Sequence, residues 1–103
     1  MKPEHLKAIS EKVKAVIINE ARKDRQECQQ NCYDFGLYHN IGTDGYFVRY
    51  TKSQFRNDYF EQNYRWICFN AQGKRVDCDP IFDVIEDENI FYGNMILIEN
   101  FTI

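Results

Sequence analysis

The stretch PEHLKAISEKVKAVIINEARKDRQECQQ, residues 3–30, decides how this chain is read. Leu6, Ile9, Val13, Val16, Ile17 and Ala21 recur at three- and four-residue steps, the spacing that gathers side chains on one side of an α-helix. Pro3 suits the first turn, where its missing N–H costs nothing. After Ala21 the stripe fails. Glu20 and Asp24 stand at the angles where apolar residues should continue, within the polar run Arg22-Lys23-Asp24-Arg25-Gln26-Glu27. The first five turns therefore read as a core-covering helix, and the last two as solvated or open to a partner. A helix over residues 3–30 would measure about 42 Å at 1.5 Å per residue. That overreaches a globule of this chain length, whose radius of gyration is roughly 13 Å. Either the helix end projects or a second copy covers it.

From residue 33 the period changes. Tyr33, Phe35, Leu37, His39 and Ile41 alternate with Asp34, Gly36, Tyr38 and Asn40, the two-residue repeat of a half-buried strand over 33–41. Gly42-Thr43-Asp44-Gly45 is turn chemistry, since Asp-Gly accommodates positive φ, and Tyr46 to Tyr50 returns as a second strand. Residues 52–62 read as a short inserted helix, because Thr51 and Gln54 resemble a capping box and Phe55, Tyr59 and Phe60 share a helical face. Beyond Tyr64 come short strands. Residues 64–69 and 75–79 flank Asn70-Ala71-Gln72-Gly73, and a left-handed Gly73 would pair Cys68 with Val76 and set Cys78 on the same face as Cys68. Pro80 ends that strand. Phe82 and Val84 form a further apolar face, and residues 90–92 and 95–98 a last hairpin about Gly93-Asn94. The run Met95-Ile96-Leu97-Ile98 reads as a strand buried on both faces or central in the sheet. The expected class is α+β, one domain over 1–103: a long N-terminal helix packed on a mostly antiparallel β-meander. The element order is similar to cystatin-like and NTF2-like proteins, in which a sheet wraps one long helix; that likeness of order carries no function.

The chain has 103 residues, 44% of them apolar, with seven Tyr, eight Phe and one Trp, ample for a core. A net charge of −3 excludes neither class of partner, but it lacks the basic excess on which bulk nucleic-acid binding rides. No apolar run approaches the roughly 18 residues of a membrane span, and the start Met-Lys-Pro-Glu-His-Leu-Lys does not resemble a signal peptide. A cytoplasmic protein with no membrane association is expected. Cys28, Cys32, Cys68 and Cys78 are then read as structural thiols, with a zinc site and disulfides as the alternatives. The ten-residue step from Cys68 to Cys78 does not suit a zinc knuckle.

No motif supplies nucleophile, base and oxyanion donor together, so an enzyme is not expected. The one catalytic arrangement worth naming needs Cys32 and His39 to converge beside Asp34 or Asp44. The five glycines are spread as punctuation rather than as a phosphate loop. No cofactor is called for. Two features stand out as surfaces. Asp77, Asp79, Asp83, Glu86, Asp87 and Glu88 form an acidic segment without a basic residue, which solvated strand edges would explain and which would also steer a basic partner; Arg22, Lys23 and Arg25 could meet it within the monomer. The tyrosines outnumber what one small core buries, so rings such as Tyr38 and Tyr92 are candidate anchors of an interface. The reading that follows is a small non-enzymatic module that binds another protein, as an inhibitor or accessory factor. An obligate homo-oligomer with a structural or ligand-holding role is the second reading. Single-stranded nucleic acid, stacked on tyrosines beside Arg49, Lys52, Arg56 and Arg65, is the third and the least favoured.

Overall fold

The computed structural model describes residues 3–27, 31–56, 59–78 and 94–103. Helix α1 spans Pro3–Glu27, and the strands are β1 Cys32–Asn40, β2 Tyr46–Arg56, β3 Tyr59–Phe69, β4 Arg75–Val76 and β5 Met95–Thr102. They form one five-stranded sheet in the order β4-β3-β2-β1-β5, every neighbouring pair antiparallel. Strands β1 to β4 follow as a meander, and β5 returns to lie beside β1. The α+β class read from the sequence is the architecture observed.

Helix and sheet meet along the apolar stripe. Val13, Ile17 and Ala21 are fully buried against Tyr33, Phe35, Leu37, Tyr46, Val48, Tyr50, Ile67 and Phe69, with Leu6, Ile9, Ile98 and Phe101 at the margins. These sheet residues share one face because the register places Leu37 opposite Val48 and Val48 opposite Ile67. Val16, at the edge of the stripe, stays 38% exposed. The N-terminal half of the helix lies over the β3–β4 turn, where Lys12 Nζ donates to the Gln72 carbonyl at 3.2 Å. That turn is closed by Asn70, whose Oδ1 accepts from the amides of Gln72 and Lys74 at 3.0 Å each. Gly73 sits at φ +79°, and a Cβ there would lie 3.1 Å from Ile9, so glycine serves both the turn and the close helix. The pairing of Cys68 with Val76 is the one expected. In the β1–β2 turn, Asn40 Oδ1 accepts from the amides of Gly42 and Thr43, and Asp44 takes φ +60°.

Three expectations are corrected. Residues 52–62 form no helix: β2 and β3 are eleven-residue strands paired from Tyr46–Phe69 out to Arg56–Tyr59. The spacing of Phe55, Tyr59 and Phe60 fits either period over so short a window, and continuous pairing with a partner strand decides for the sheet. The extended hairpin also answers the overreaching helix. Each long strand spans about 37 Å, matching the 25 residues of α1 at 1.5 Å each. Residues from Leu6 to Asp24 thus have sheet partners without a second copy. Strand β5, expected buried on both faces or central, is not buried on both faces: it pairs with β1, and Ile96 is 52% and Leu97 47% exposed, with no strand on its other side among the described residues. A bulge between Leu37 and Tyr38 shifts its register, so Ile98 reaches the helix-side core and the two residues before it do not. Finally, Cys68 and Cys78 are not thiols but a disulfide, Cα–Cα 5.4 Å, joining β3 to the chain leaving β4. It anchors a small cluster on the outer face, where Phe47 and Cys68 are buried beneath Tyr38, Trp66, Val76 and Met95. The last hairpin's residues 90–92, together with Phe82, Val84 and Cys28, lie outside the described residues.

The packing difference along the helix is measurable. Ile17→Ala should cost about 3 kcal/mol in urea unfolding, as a buried truncation that leaves a cavity, whereas Val16→Ala should change little. Reducing the Cys68–Cys78 bridge, which closes a ten-residue separation, should lower stability by about 2.5 kcal/mol from chain entropy alone. Urea midpoints with and without reductant, alongside a Cys68→Ala/Cys78→Ala variant, check this.

Candidate functional site

Beyond Ala21 the helix turns the same face to the sheet, but with carboxylates. Glu20 receives the guanidinium of Arg65 on one oxygen at 2.8 Å and that of Arg75 on the other at 2.7 Å. Asp24 accepts a hydrogen bond from the hydroxyl of Tyr50. The last turns are therefore not simply solvated, as their polarity suggested. Sequence periodicity placed both acids on the buried side correctly, and β2 and β3 supply matching donors. Arg22, Lys23 and Arg25 do lie exposed on the other side of those turns.

Past Asp24 the β2–β3 hairpin continues, and a pocket of about 390 Å³ opens between the helix end and the sheet. Its floor is two cross-strand rows on the helix-facing side: Tyr33–Lys52–Asn63, and next to it Tyr50–Arg65. The Tyr33 and Tyr50 rings meet edge to face at 5.9 Å, and the Arg65 guanidinium lies 4.9 Å from the centre of the Tyr50 ring. Asn31 Nδ2 donates to the Tyr33 hydroxyl at 3.2 Å. Tyr64, 66% exposed, forms part of the rim. Burial first, and then the hydrogen bond to Asp24, push the Tyr50 hydroxyl well above the ordinary tyrosine range.

The outer face of the sheet is different. Tyr38 and Trp66 pack edge to face at 5.7 Å, and the Tyr38 ring lies where a Cβ on Gly36 would be, 2.9 Å away. Two grooves flank Arg49: one of about 400 Å³ reaches Thr51, Gln62, Tyr64 and Trp66, the other of about 360 Å³ reaches Asp34, Gly36, Asn100 and Thr102. Tyr64 borders both the helix-side pocket and the first groove, because β4 covers only Cys68 and Phe69 of β3 and leaves the strand edge beside Tyr64 uncovered by it.

Of the residues singled out by sequence, Tyr38 belongs to this outer face, half-buried. Asp77 is exposed beyond β4. Asp79, Asp83, Glu86, Asp87, Glu88 and Tyr92 lie outside the described residues, so the meeting of the acidic segment with Arg22, Lys23 and Arg25 does too. The Cys32–His39 arrangement does not form. The two stand seven residues apart on β1, about 23 Å along a strand, and on opposite faces. His39 is buried instead, with Nε2 hydrogen-bonded to Asp44 Oδ1 at 2.9 Å and its ring against Tyr46. Among the described residues no three His, Cys, Asp or Glu side chains gather as a metal site requires, and the disulfide takes two of the four sulfurs from any zinc reading. No helix there is long and apolar enough to cross a membrane. Lys52 and Arg65, singled out from the sequence only as cations for a stacked single strand, line this pocket together with Asn63, which the sequence did not single out. The available signal was the interrupted stripe: acids on a buried face imply cations or hydroxyls opposite them.

The Tyr50 hydroxyl gives a pH test. Its pKa is raised in the folded chain, so its contribution is complete below the unfolded value near pH 10 and is lost as pH rises beyond it. Tyr46 shifts in the same direction, from burial and then the charge of Asp44. Stability should therefore fall above about pH 10, and Tyr50→Phe should fall less steeply there than the parent, as read by chemical denaturation across that range. Against known proteins, no family model, no curated protein and no solved structure matches this chain.

Proposed function

We propose that this chain is a small non-enzymatic module that binds another protein through the outer face of its sheet. One observation carries the reading: Tyr38, Arg49, Tyr64 and Trp66 stand together on that face, within a polar rim of Asp34, Thr51, Gln62, Asn100 and Thr102. Tyr, Trp and Arg are the side chains that dominate binding energy at protein interfaces, where a polar margin surrounds them. Charge separates this from the nucleic-acid reading. Arg49 shares its face with Asp34, while Lys52 and Arg65 belong to the helix side, so the aromatic residues lack the positive groove that stacking on single strands requires. Inhibition of the partner, or an accessory role towards it, is the form such docking would take.

An intracellular location goes with this reading; the Cys68–Cys78 disulfide weighs against it, and the state of that pair in the cell decides. Alkylation in freshly lysed producing cells should find both as thiols if the compartment is reducing, and protected if it is oxidising.

The docking proposal is tested by Arg49→Ala/Tyr64→Ala. Both side chains are exposed, so thermal stability should hold within about 0.5 kcal/mol. Cross-linking and affinity capture from the producing cell should lose their specific partner, by a factor of ten or more for two anchors at about 1 kcal/mol or above each. Unchanged capture by the double variant sinks the outer-face assignment. Binding of an oligothymidylate that weakens steeply with added salt would move the function to nucleic acid.

A further inference from the structure

The side of β3 turned away from β2 is only partly covered. β4 pairs with Cys68 and Phe69, and Cys78 Sγ lies 3.4 Å from the Trp66 carbonyl oxygen. Alongside residues 59–65 no strand lies on that side among the described residues. The turn after β3 gives the direction of its backbone groups: the amide of Asn70 donates to the carbonyl of Lys74, so Asn70 faces β4. Antiparallel pairing alternates that direction residue by residue, and β3 pairs with β2 in one register from Tyr59 to Phe69. Phe60, Gln62 and Tyr64 therefore aim their N–H and C=O groups outward, away from β2. Phe60 is 52% and Tyr64 66% exposed, and both share the outer face of the sheet with Gln62 midway between them.

We infer that this edge pairs antiparallel with the same edge of a second copy of the chain, the two-fold axis passing through Gln62. Such an interface is isologous, so its self-complementarity can be read from one strand. Outward-facing residues must meet outward-facing residues, and side chains decide among registers centred on residue 61, 62 or 63. Centring on Glu61 sets two like charges directly opposite each other, which is destabilising. Centring on Asn63 carries Phe60 of the second copy to Trp66, where Cys78 already lies. Centring on Gln62 fills residues 59–65 and places each Phe60 opposite Tyr64 of the other copy, an aromatic pair formed twice. On the helix side of the sheet, Glu61 then stands diagonally across from Arg65 of the second copy, within reach of long side chains. Arg65 and Arg75 share the single carboxylate of Glu20, so that group carries one positive charge for a second carboxylate to meet. Seven residues on each copy make a small interface, so the dimer is weak and reversible.

Sedimentation equilibrium of the full chain is the test, in a Cys28→Ser/Cys32→Ser background that prevents those cysteines from linking copies. The expected result is a reversible rise from a 12.4 kDa monomer to twice that mass as concentration climbs through the micromolar range. Gln62→Pro removes the central outward N–H from both copies, and proline is tolerated on a strand edge at such a position. It should weaken the dimer about tenfold or more, the scale of two lost hydrogen bonds, while the folded spectrum persists. Phe60→Lys/Tyr64→Lys leaves the backbone donors in place and sets like charges opposite each other; it should do the same, and it stands in if the proline variant unfolds. Cysteine pairing reads the register. Gln62→Cys should oxidise readily to a covalent dimer, its Cα atoms being about 5.5 Å apart across the axis, and Lys7→Cys on the exposed side of the helix should not. A chain still monomeric at about 1 mM, a dimer that both edge variants leave intact, or equal oxidation at the two cysteine positions would overturn the inference. Each readout concerns this chain alone, so none turns on whether the outer face docks another protein.

Discussion

Two half-buried carboxylates on the sheet-facing side of the helix fix how α1 is seated on the sheet. Burying an ionised group costs several kcal/mol unless charge and hydrogen bonds meet it. Hydrophobic contact is non-directional, so the stripe Val13, Ile17, Ala21 would tolerate small slides and rotations of α1 over the sheet. Glu20 and Asp24 do not. Arg65 and Arg75 reach Glu20 from neighbouring strands, and the Tyr50 hydroxyl reaches Asp24, so the helix is held at one depth and one rotation. The opposite flank is held by Lys14, whose ammonium pairs with Glu99 of β5 at 2.8 Å and lies over the Phe101 ring. The exposed pairs add little stability individually; their effect is on geometry.

With the helix so placed, the rest follows from strand length. The β2–β3 hairpin runs on after the last sheet contact of α1, and the helix-facing side chains of that overhang line a pocket instead of a core. The same strands show their other side chains to the outer face, where the disulfide and Phe47 support one end and polar and aromatic residues occupy the other. One hairpin thus makes two recessed surfaces of different character, and Tyr64 at its edge borders both.

Short-range features were legible in the residues. Asn70 to Gly73 and Gly42 to Gly45 carry their turn chemistry within a few positions, and both turns form where expected. The helix was legible because its period repeats over many turns. The segment 52–62 was not, since its aromatic spacing satisfies two periods and the choice is made by residues of the partner strand. The exposure of Ile96 and Leu97 was not legible for a related reason: an apolar run records hydrophobicity, while which of its residues are covered depends on what packs on each face of the sheet. Face sharing by Cys68 and Cys78 was readable from the turn, but the bond between them was not, because it depends on the 5.4 Å approach of two backbones that only the folded β3–β4 pair sets.

The candidate sites divide the same way. Tyr38 could be picked out as a surface ring, yet its neighbours Arg49, Tyr64 and Trp66 become a set only when β1, β2 and β3 pair in register. Lys52, Asn63 and Arg65 carry no motif and lie far from Asp24 in the chain. By itself the sequence determined the helix, the alternating strands, the tight turns and the presence of acids on a buried helical face, because each depends on contacts a few residues apart. Strand order, the pairing of β5 with β1, the overhang and both recessed surfaces were decided by the tertiary structure, because each depends on pairing between residues that the sequence keeps apart.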